Sequence, residues 1–347
     1  MEYDVLIIGG GQAGLVMGYY LSQSRVSFLI VDKEKAVGET WRSRYDSLIL
    51  FTPRSYSSLP GLKLPGRQNE FPTRDDMVQY LETYATTFSL PIQHETEVLS
   101  LVKKEKQFEV QTNKGTFHAK QVIVATGPFQ KPSIPDISKQ ADSAIIQMHS
   151  SQYKQPAQLQ EGAVLVVGGG NSGTQIAVEL AEKHDVYLSV GQKIRFLPIT
   201  IASKSIFWLF DLLGLLNASR ESFFGKKLQA QGDPIFGYEL KEQLQKGTIK
   251  LKPRTKNIQK NEVFFEDNHS IKVSNIIWAT GFFSDYQWMD IPELFDEKGK
   301  PIHQRGITQV EGLYFLGLPW QHRRGSSLLL GVGEDAKYLY QHIMKNY

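Results

Sequence analysis

The sequence predicts an α/β fold built from two similar halves. A glycine-rich motif occurs twice, at residues 9–14 and 168–173. Each copy follows an apolar, β-branched run and opens a helix-like stretch, after which another strand-like run begins. A second motif, Ala-Thr-Gly, also occurs once in each half. A repeat of this length indicates a duplicated domain rather than a small repeating unit.

The first glycine-rich motif lies between the predicted strands 3–8 and 27–32. In such a unit the first glycine permits a tight turn, the second lets the backbone approach a diphosphate, and the third lets helix and strand pack closely. The diphosphate then lies at a helix N-terminus, where free N–H groups and the helix dipole favour negative charge. This half therefore predicts a Rossmann-like dinucleotide site that comprises Gly9, Gly11, Gln12, Ala13 and Gly14.

The second glycine-rich motif lies between the predicted strands 163–167 and 185–190. One isolated copy of the pattern is a weak indication of a ligand. Two copies in the same structural context favour two dinucleotide sites. The second site comprises Gly168, Gly170, Asn171, Ser172 and Gly173.

The residues after the second strand differ between the two halves. In the first half Asp32 ends the strand and Lys33 follows. A carboxylate here binds the ribose hydroxyls of an adenosine and repels a 2′-phosphate, which suits FAD or NAD. In the second half the strand ends without a carboxylate, and Lys193 and Arg195 follow. Cations here suit the 2′-phosphate of NADPH, although the turn 191–192 also accommodates NADH and both cations could be solvated surface charges.

Each half also has an apolar strand that ends in the Ala-Thr-Gly turn, after a predicted meander of strands. Small residues where a strand leaves the sheet let the backbone lie against a ligand. We therefore add to the two cofactor sites Ala125, Thr126 and Gly127 in the first half and Ala279, Thr280 and Gly281 in the second.

The composition is that of a folded protein with room for two domains: 347 residues, 41% hydrophobic and 22% charged. The net charge of +3 is too small and dispersed to indicate nucleic-acid binding. The chain has no cysteine, which excludes a structural disulfide and a Cys-x-x-Cys redox centre. Its eight histidines have no short ligand spacing, so we expect no metal site.

The sequence has no run long enough to span a bilayer. The N-terminal residues lead directly into the first predicted strand without a signal-peptide pattern, so we expect a cytoplasmic protein. The apolar run that comes nearest to a span is 206–216, where we expect a buried helix. A lid over a substrate channel, a homodimer face and a membrane-surface contact are the alternatives for this run.

Four further segments carry a family resemblance: residues 38–45, 48–53, 71–74 and 312–317. Together with the glycine motifs and Asp32 they resemble bacterial flavin-containing monooxygenases, the short single-chain branch of the class B flavoprotein monooxygenases related to plant YUCCA enzymes. The resemblance covers almost the full length of the chain. It implies that the first glycine motif binds FAD and the second binds NADPH.

The resemblance also assigns roles along the segment 38–53, which would pass the flavin and line the nicotinamide. Gly38 and Trp41 would lie at the flavin, although Trp41 could be a plain core aromatic. Gly317 and Leu328 would lie near the last helix, whose N-terminus would face the flavin pyrimidine edge and stabilise negative charge there. One of three arginines would reach a cofactor phosphate, namely Arg42, Arg44 or Arg54.

The identifying motif of that family, Phe-x-Gly-x-x-x-His-x-x-x-Tyr, is half present. His149 and Tyr153 fit it, whereas Ser143 and Ile145 occupy the Phe and Gly positions. The resemblance places His149 and Tyr153 near the domain junction, in a linker or NADPH-positioning role.

Thr52 stands where some members of the family have an asparagine near the flavin. Thr52 and Trp41 are therefore the candidate catalytic residues. The alternative for Thr52 is a polar turn residue before a proline.

We expect an FAD-binding domain at residues 1–153 and 281–347, with an NADPH-binding domain, 154–280, inserted into it and the active site between them. The resemblance implies that NADPH reduces FAD and that a C4a-(hydro)peroxyflavin transfers one oxygen atom from O2 to a small soft nucleophile or carbonyl substrate. Two alternatives stay open. One is an NAD(P)H:flavin oxidoreductase without oxygen transfer, and the other is a non-enzymatic flavin redox sensor for a partner such as an ion transporter.

Overall fold

The computed structural model describes residues 1–345 and 347 and, at Pro292, the backbone alone. In chain order its strands are β1 Glu2–Ile8, β2 Phe28–Val31, β3 Ile92–Gln93, β4 Val98–Lys103, β5 Phe108–Thr112, β6 Gly115–Val124, β7 Lys131–Pro132, β8 Ile146–His149, β9 Val164–Val167, β10 Val186–Ser189, β11 Phe196–Leu197, β12 Thr200–Ile201, β13 Lys204–Ser205, β14 Ile235–Phe236, β15 Ile249–Lys252, β16 Thr255–Gln259, β17 Glu262–Phe265, β18 Ser270–Lys272, β19 Asn275–Trp278, β20 Phe282–Phe283 and β21 Leu313–Phe315.

The helices are α1 Gln12–Leu21, α2 Glu39–Arg42, α3 Arg74–Thr87, α4 Asn171–Leu180, α5 Ile206–Leu212, α6 Phe223–Gln231, α7 Glu239–Lys246 and α8 Leu329–Lys345. Short 3-10 turns occur at Arg54–Tyr56, Asp136–Gln140, Pro156–Gln158, Leu215–Asn217, Pro292–Leu294 and Arg324–Ser327.

The larger sheet has seven strands in the order β3-β2-β1-β6-β5-β4, with β21 pairing with the C-terminal part of β6. Strands β1, β2, β3, β6 and β21 run parallel, and β4–β6 form an antiparallel meander. Alternate residues of β1 enter the cores on opposite faces: Val5 and Ile7 face the core of α1, α3 and α8, and Leu6 and Ile8 face the other. Such burial on both faces explains the continuous apolar run of this strand.

The second large sheet has five parallel strands in the order β15-β10-β9-β19-β8. Helices α4 and α7 flank the core on one face, which holds Val164 and Val166 of β9. The antiparallel sheet β16-β17-β18 covers the other face, where Leu165 and Val167 are buried. Both large sheets carry a glycine turn between a strand and a helix, β1 and α1 in the first and β9 and α4 in the second, so the predicted α/β class is confirmed.

The chain passes between the two large sheets at two neighbouring places. The first passage contains β7 and the second contains β20, and these two strands pair antiparallel. Strand β8 already belongs to the second sheet, where it pairs with β19. The predicted domain bounds place this strand, IQMH, in the segment 1–153. The domain bounds 1–153, 154–280 and 281–347 stay predictions.

The apolar run 206–216 forms α5 and a 3-10 turn, and the expectation of a buried helix is only half right. Ile206 and Phe207 are buried, whereas Trp208 is 40% exposed and Leu212 is 67% exposed. A single short helix can bury only one side, and here that side packs on Phe51.

Candidate functional site

The first glycine motif forms a tight turn between β1 and α1. Gly9 has φ +109°, and a Cβ atom there would lie 2.6 Å from the carbonyl oxygen of Ala125. A Cβ atom at Gly14 would overlap the carbonyl oxygen of Gly9. At Gly11, by contrast, a Cβ atom would meet no described atom within 4 Å. The protein itself fills the space beside Gly9 and Gly14, whereas the space beside Gly11 is open to a ligand.

The second glycine motif repeats this geometry residue by residue. Gly168 has φ +120°, and a Cβ atom there would overlap the carbonyl oxygen of Ala279. A Cβ atom at Gly173 would overlap the carbonyl oxygen of Gly168, and one at Gly170 would meet no described atom within 4 Å. The duplication seen in the sequence therefore gives two open backbone cradles, the first at residues 9–14 and the second at residues 168–173.

Both cradles end at the N-terminus of a helix. The cap residues of α1 and α4 are Gly11 and Gly170, and within the described part of the chain neither helix receives a side-chain cap. The first N–H groups of a helix need an acceptor from outside it, and an anion supplies one. Open space beside the second glycine and an uncapped helix both fit the diphosphate of a dinucleotide.

The first residues of the two helices also form part of the cradles. The side-chain amide of Gln12 donates to the carbonyl oxygen of Ser327 at 2.9 Å. The amide of Asn171 lies 3.5 Å from the carbonyl oxygen of Pro234. Ala13 and Ser172 occupy the same position in α1 and α4, directly after these amides.

Asp32 directly follows β2, beside the first cradle. Its Oδ1 accepts a hydrogen bond from the Glu34 N–H at 2.7 Å, and its Oδ2 accepts one from the Gly10 N–H. Lys33 points to solvent and is exposed. The carboxylate is thus fixed next to the glycine turn, where the prediction places the ribose of a dinucleotide.

Val190 is the structural counterpart of Asp32 in the second half. A Cβ atom at Gly10 would lie 2.8 Å from Asp32 Oδ2, and a Cβ atom at Gly169 would lie 2.7 Å from Val190 Cγ1. The second cradle therefore presents an apolar side chain where the first presents a carboxylate.

The cations around the second cradle differ in how they are held. Arg195 is exposed and donates to the Gln231 side chain at 2.7 Å and to the Gly232 carbonyl oxygen at 3.0 Å. Lys193 is exposed on the same turn. Sequence reasoning missed Arg254, whose Nη2 would lie 2.5 Å from a Cβ atom at Gly191.

A signal for Arg254 exists in the sequence. It follows β15, and the carboxyl ends of parallel strands meet at the edge of the sheet where ligands bind. Its nearest carboxylate, Glu266 Oε1, is 3.4 Å from Nε, and both side chains are more than half exposed. The guanidinium is therefore free to turn toward a phosphate.

The two Ala-Thr-Gly turns lie opposite the two cradles, since the alanine carbonyl of each turn covers the first glycine. Their threonines differ. Thr126 Oγ1 accepts from the Gln130 amide at 2.9 Å, whereas Thr280 donates to the carbonyl oxygen of Ser133. The glycine that ends each turn has positive φ, +69° and +84°, and open space beside it.

The segment 38–53 passes between the two large sheets. Gly38, at φ +84°, precedes α2, and Trp41 packs half-buried on the core of α1 and α3. The Tyr45 hydroxyl donates to Gln175 Oε1 at 2.7 Å, and the Gln175 amide donates to the Ile49 carbonyl oxygen at 3.1 Å. Gln175 lies in α4, so this segment joins the first half to the second cradle's helix.

Two of the three arginines that the resemblance singles out are held by carboxylates. Arg42 pairs with Glu82 at 2.6 Å, and Arg54 pairs with Asp76 at 2.7 Å. In the described part of the chain Arg44 forms no ion pair, and its guanidinium carbon lies 4.9 Å from the centre of the Phe129 ring. Which of the three contacts a cofactor phosphate stays a prediction.

The passage between the sheets is fastened by His149. Its Nε2 is 2.9 Å from the Gly281 carbonyl oxygen, and its Nδ1 accepts from the Ser151 N–H at 3.1 Å. Burial lowers the pKa of His149, and Arg44 nearby lowers it further. The neutral ring with a proton on Nε2 satisfies both contacts.

Tyr153 is fully buried, and its hydroxyl donates to Glu179 Oε2 at 2.8 Å. Burial, with Glu179 beside it, raises the pKa of Tyr153. Because Glu179 lies in α4, Tyr153 attaches the connecting chain to the second cradle's helix. The predicted role of Tyr153 and His149 in positioning NADPH stays a prediction.

Thr52 is buried, and its Oγ1 is 2.9 Å from Ser57 Oγ. The Ser57 hydroxyl also lies 3.1 Å from the Thr52 carbonyl oxygen. The polar groups of Thr52 are thus engaged inside the protein, which fits a turn residue as well as a catalytic one.

The C-terminal segment returns to the first cradle. Gly317 has φ +85°, and a Cβ atom there would lie 3.0 Å from Ala13 Cβ. Helix α8 begins at Leu329, directly after Leu328, as the sequence predicts. The contact of Gln12 with Ser327 places this helix start beside the first cradle.

Two cavities adjoin the 3-10 turn Arg54–Tyr56, with volumes of about 450 and 360 Å³. Tyr56 and Asp211 border both, and the Tyr56 hydroxyl donates to Asp211 Oδ2 at 3.2 Å. Burial, together with Asp211, raises the pKa of Tyr56 to about 12. The smaller cavity also contacts Arg323, which no motif in the sequence announces.

Two other kinds of site are not found. Within residues 1–345 and 347, no group of three or more carboxylate or imidazole side chains is arranged to hold a metal ion. Across the same residues, no helix combines the length and apolar character that a membrane span needs.

Comparison with known proteins agrees with this geometry. The profile of the pyridine nucleotide-disulphide oxidoreductase family matches residues 6–196. An uncharacterized CzcO-like oxidoreductase of Geobacillus kaustophilus is 57% identical over 343 residues, 99% of either chain. The uncharacterized oxidoreductase CzcO of Bacillus subtilis is 51% identical over 337 residues, 97% of this chain and 98% of that one. The structure of a flavin-containing monooxygenase from Stenotrophomonas maltophilia is similar over 99% of both chains, at 25% identity and a TM-score of 0.84.

Proposed function

The chain belongs to the pyridine nucleotide-disulphide oxidoreductase family, and from this premise we propose that it is an NADPH-dependent flavoprotein monooxygenase. One oxygen atom of O2 is transferred to a small soft nucleophile or carbonyl compound. The other oxygen atom leaves as water. One of the two hydrogens of this water corresponds to the hydride of NADPH, and the other is a proton from solvent. NADPH supplies the two electrons and leaves as NADP+.

The observation that carries this proposal is the pair of matching cradles in a chain without cysteine. Two dinucleotides in one chain indicate electron transfer from one to the other. Reduction of a disulfide by the protein would need a thiolate of its own to attack it. The final electron acceptor is therefore not a pair of cysteines in this chain.

The first cradle is assigned to FAD and the second to NADPH. When bound, FAD takes up hydride from a nicotinamide and in its reduced form supplies electrons to O2. Asp32 would hold the adenosine ribose of FAD, since its carboxylate is fixed beside the first turn. Around the second cradle, Arg254, Lys193 and Arg195 would receive the 2′-phosphate, and Val190 leaves room for it without a repelling carboxylate.

Other parts of the chain would orient these cofactors and exclude water. The start of α8 beside the first cradle offers helix N–H groups to negative charge. The segment 38–53, with Trp41 and Thr52, would line the nicotinamide, held to α4 through Tyr45 and Gln175. The similarity to the Stenotrophomonas flavin-containing monooxygenase over 99% of both chains supports the same arrangement.

The deciding experiment measures the reaction stoichiometry of the FAD-loaded protein. NADPH and O2 consumption, hydrogen peroxide and oxygenated product are measured with and without a thioether or ketone probe, under ¹⁸O2. We expect one labelled product per NADPH with an accepted probe and little peroxide. Peroxide equal to NADPH with every probe would overturn oxygen transfer.

A second function, an NAD(P)H oxidoreductase without oxygen transfer, is favoured by one observation. Ile145 is buried where the family's identifying motif has glycine, and an exposed Ser143 replaces its phenylalanine. The peroxide outcome above would support this function. Failure of the FAD-loaded protein to oxidise NADPH at all would favour a flavin redox sensor instead.

A further inference from the structure

Arg323 is a buried cation without a counterion. Its side chain lines the smaller cavity and the residue is only 8% exposed. The guanidiniums of Arg305 and Arg324, by contrast, pair with Asp335 and Asp233. Arg323 pairs with no carboxylate in the described part of the chain. A buried charge is unfavourable unless a partner neutralises it, so this cavity calls for an anion.

The position of Arg323 is fixed from two sides. Its Nη1 donates to Asn217 Oδ1, while its buried Nε has no partner among the described residues. The backbone of the same stretch bridges Ser219, and the Arg220 N–H donates to the His322 carbonyl oxygen at 2.8 Å. The guanidinium is therefore held at the floor of the cavity by Nη1 alone among the hydrogen bonds of the described residues.

The rim of the cavity carries the opposite charge. Asp211 and Glu334 both line it, and both are exposed to solvent. Tyr56 donates to Asp211, which keeps that carboxylate at the rim. The cavity thus has one buried positive charge at its floor and two solvated negative charges at its rim. A ligand that carries only negative charge does not suit it, because the part of the ligand nearest the rim would be repelled by the two carboxylates.

We propose that the smaller cavity binds a small zwitterion of the α-amino acid class, with its carboxylate on Arg323 and its ammonium group toward Asp211 and Glu334. A cavity of about 360 Å³ has room for such a molecule with a modest side chain. Arginine binds a carboxylate in a planar, two-bond geometry that lysine does not offer.

This site lies beside the first cradle. Leu330 lines the cavity, and the stretch between Arg323 and Leu330 contains Ser327, which Gln12 of the cradle contacts at 2.9 Å. A thioether zwitterion bound here would then be the compound that receives oxygen. That last step, unlike the binding itself, rests on the proposed function.

Three thioether probes separate the two charges: L-methionine, 3-(methylthio)propionate, which lacks the ammonium group, and 3-(methylthio)propylamine, which lacks the carboxylate. Their binding to the oxidised, FAD-loaded protein saturated with NADP+ is measured by isothermal titration calorimetry. We expect L-methionine to bind best. Arg323→Gln should weaken L-methionine and 3-(methylthio)propionate by roughly tenfold or more and change the amine by less than about twofold.

Two variants serve as controls. Arg324→Gln removes the same charge one residue along, where the guanidinium faces Asp233, and should leave all three affinities within about twofold. Arg323→Lys keeps a cation at the floor and should retain part of the carboxylate affinity, which also guards against a folding defect. The double variant Asp211→Asn with Glu334→Gln should weaken only the two probes that carry an ammonium group.

The proposal is overturned if none of the probes binds, or if Arg323→Gln affects the three probes alike. It is also overturned if Arg323→Gln weakens NADP+ instead, because the cavity would then belong to the nucleotide. Calorimetry needs no oxygen transfer. If the probes bind as expected but no sulfoxide forms, the proposed function is contradicted and the zwitterion site stands. If sulfoxide forms equally well in Arg323→Gln, the zwitterion site is contradicted and the proposed function stands.

Discussion

His149 Nε2 and the Gly281 carbonyl oxygen lie 2.9 Å apart, and the Ser133 N–H donates to that same oxygen at 2.9 Å. One carbonyl thus joins three parts of the chain where it passes between the sheets. We expect His149→Leu to lower the free energy of unfolding by about 0.5–1.5 kcal/mol, the net contribution of one hydrogen bond, measured by urea denaturation. The matched control is His118→Leu, since His118 Nδ1 is buried and has no partner among the described residues. An equal loss of stability in His118→Leu would show that the His149 hydrogen bond makes no special contribution.

Gly11→Ala and Gly170→Ala should each affect one cofactor while the fold is preserved. The added methyl group meets no described atom, and both residues have φ values, −75° and −79°, that alanine adopts. Where a diphosphate approaches the backbone, a methyl group costs about 1–3 kcal/mol, so affinity should fall roughly tenfold. The flavin-to-protein absorbance ratio reports on Gly11→Ala, and the KM for NADPH reports on Gly170→Ala.

The third glycine of each motif provides the contrast. Gly14→Ala and Gly173→Ala place a methyl group on a carbonyl oxygen of the same turn and should impair folding itself. A fully flavin-loaded Gly11→Ala protein would contradict the assignment of the first cradle to FAD.

Arg254→Gln should raise the KM for NADPH far more than that for NADH. Its Nη2 lies beside Gly191, and a charge-assisted bond to a 2′-phosphate contributes about 1.5–3 kcal/mol, roughly ten- to a hundredfold in KM. The double variant Lys193→Ala with Arg195→Ala tests the cations predicted from the sequence. Equal losses for both nucleotides in Arg254→Gln would show that this arginine does not contact the 2′-phosphate.

His303 should make the protein less stable in acid. Burial, with Arg220 nearby, lowers its pKa from 6.5 to about 4, against the opposing effect of Asp335. Between these two pH values the unfolded chain binds a proton that the folded chain does not, so stability is lost as pH falls. Protonation would also convert Nδ1, which accepts from the Gly306 N–H at 3.1 Å, into a donor.

The measurement is the melting temperature from pH 7 to pH 4.5 by differential scanning calorimetry. His303→Gln should reduce the acid-induced fall by about 2 °C or more, and the exposed His269→Gln should not. An unchanged fall in His303→Gln would assign the acid sensitivity to other groups, such as His149 and His322, whose pKa values burial also lowers.

The parts of the site that could be predicted are those set by neighbouring residues. The turn that needs Gly9 and Gly14 depends on backbone sterics within one strand–turn–helix unit, and the spacing of its glycines is visible in the sequence. Arg254 and Arg323 could not be predicted in this way, since each reaches its place from a distant strand or loop. Likewise the apolar content of 206–216 does not say which side of α5 meets Phe51 and which meets water.

The pairing of β7 with β20 has a consequence for how such proteins can be recombined. The strand on the passage toward the second sheet, β7, and the strand on the passage back, β20, are hydrogen-bonded neighbours. A segment whose ends already touch adds little loop-closure entropy to the rest of the chain. The stretch between Pro132 and Phe282, which contains the second glycine turn, can thus be exchanged between relatives as one unit with its two ends already paired.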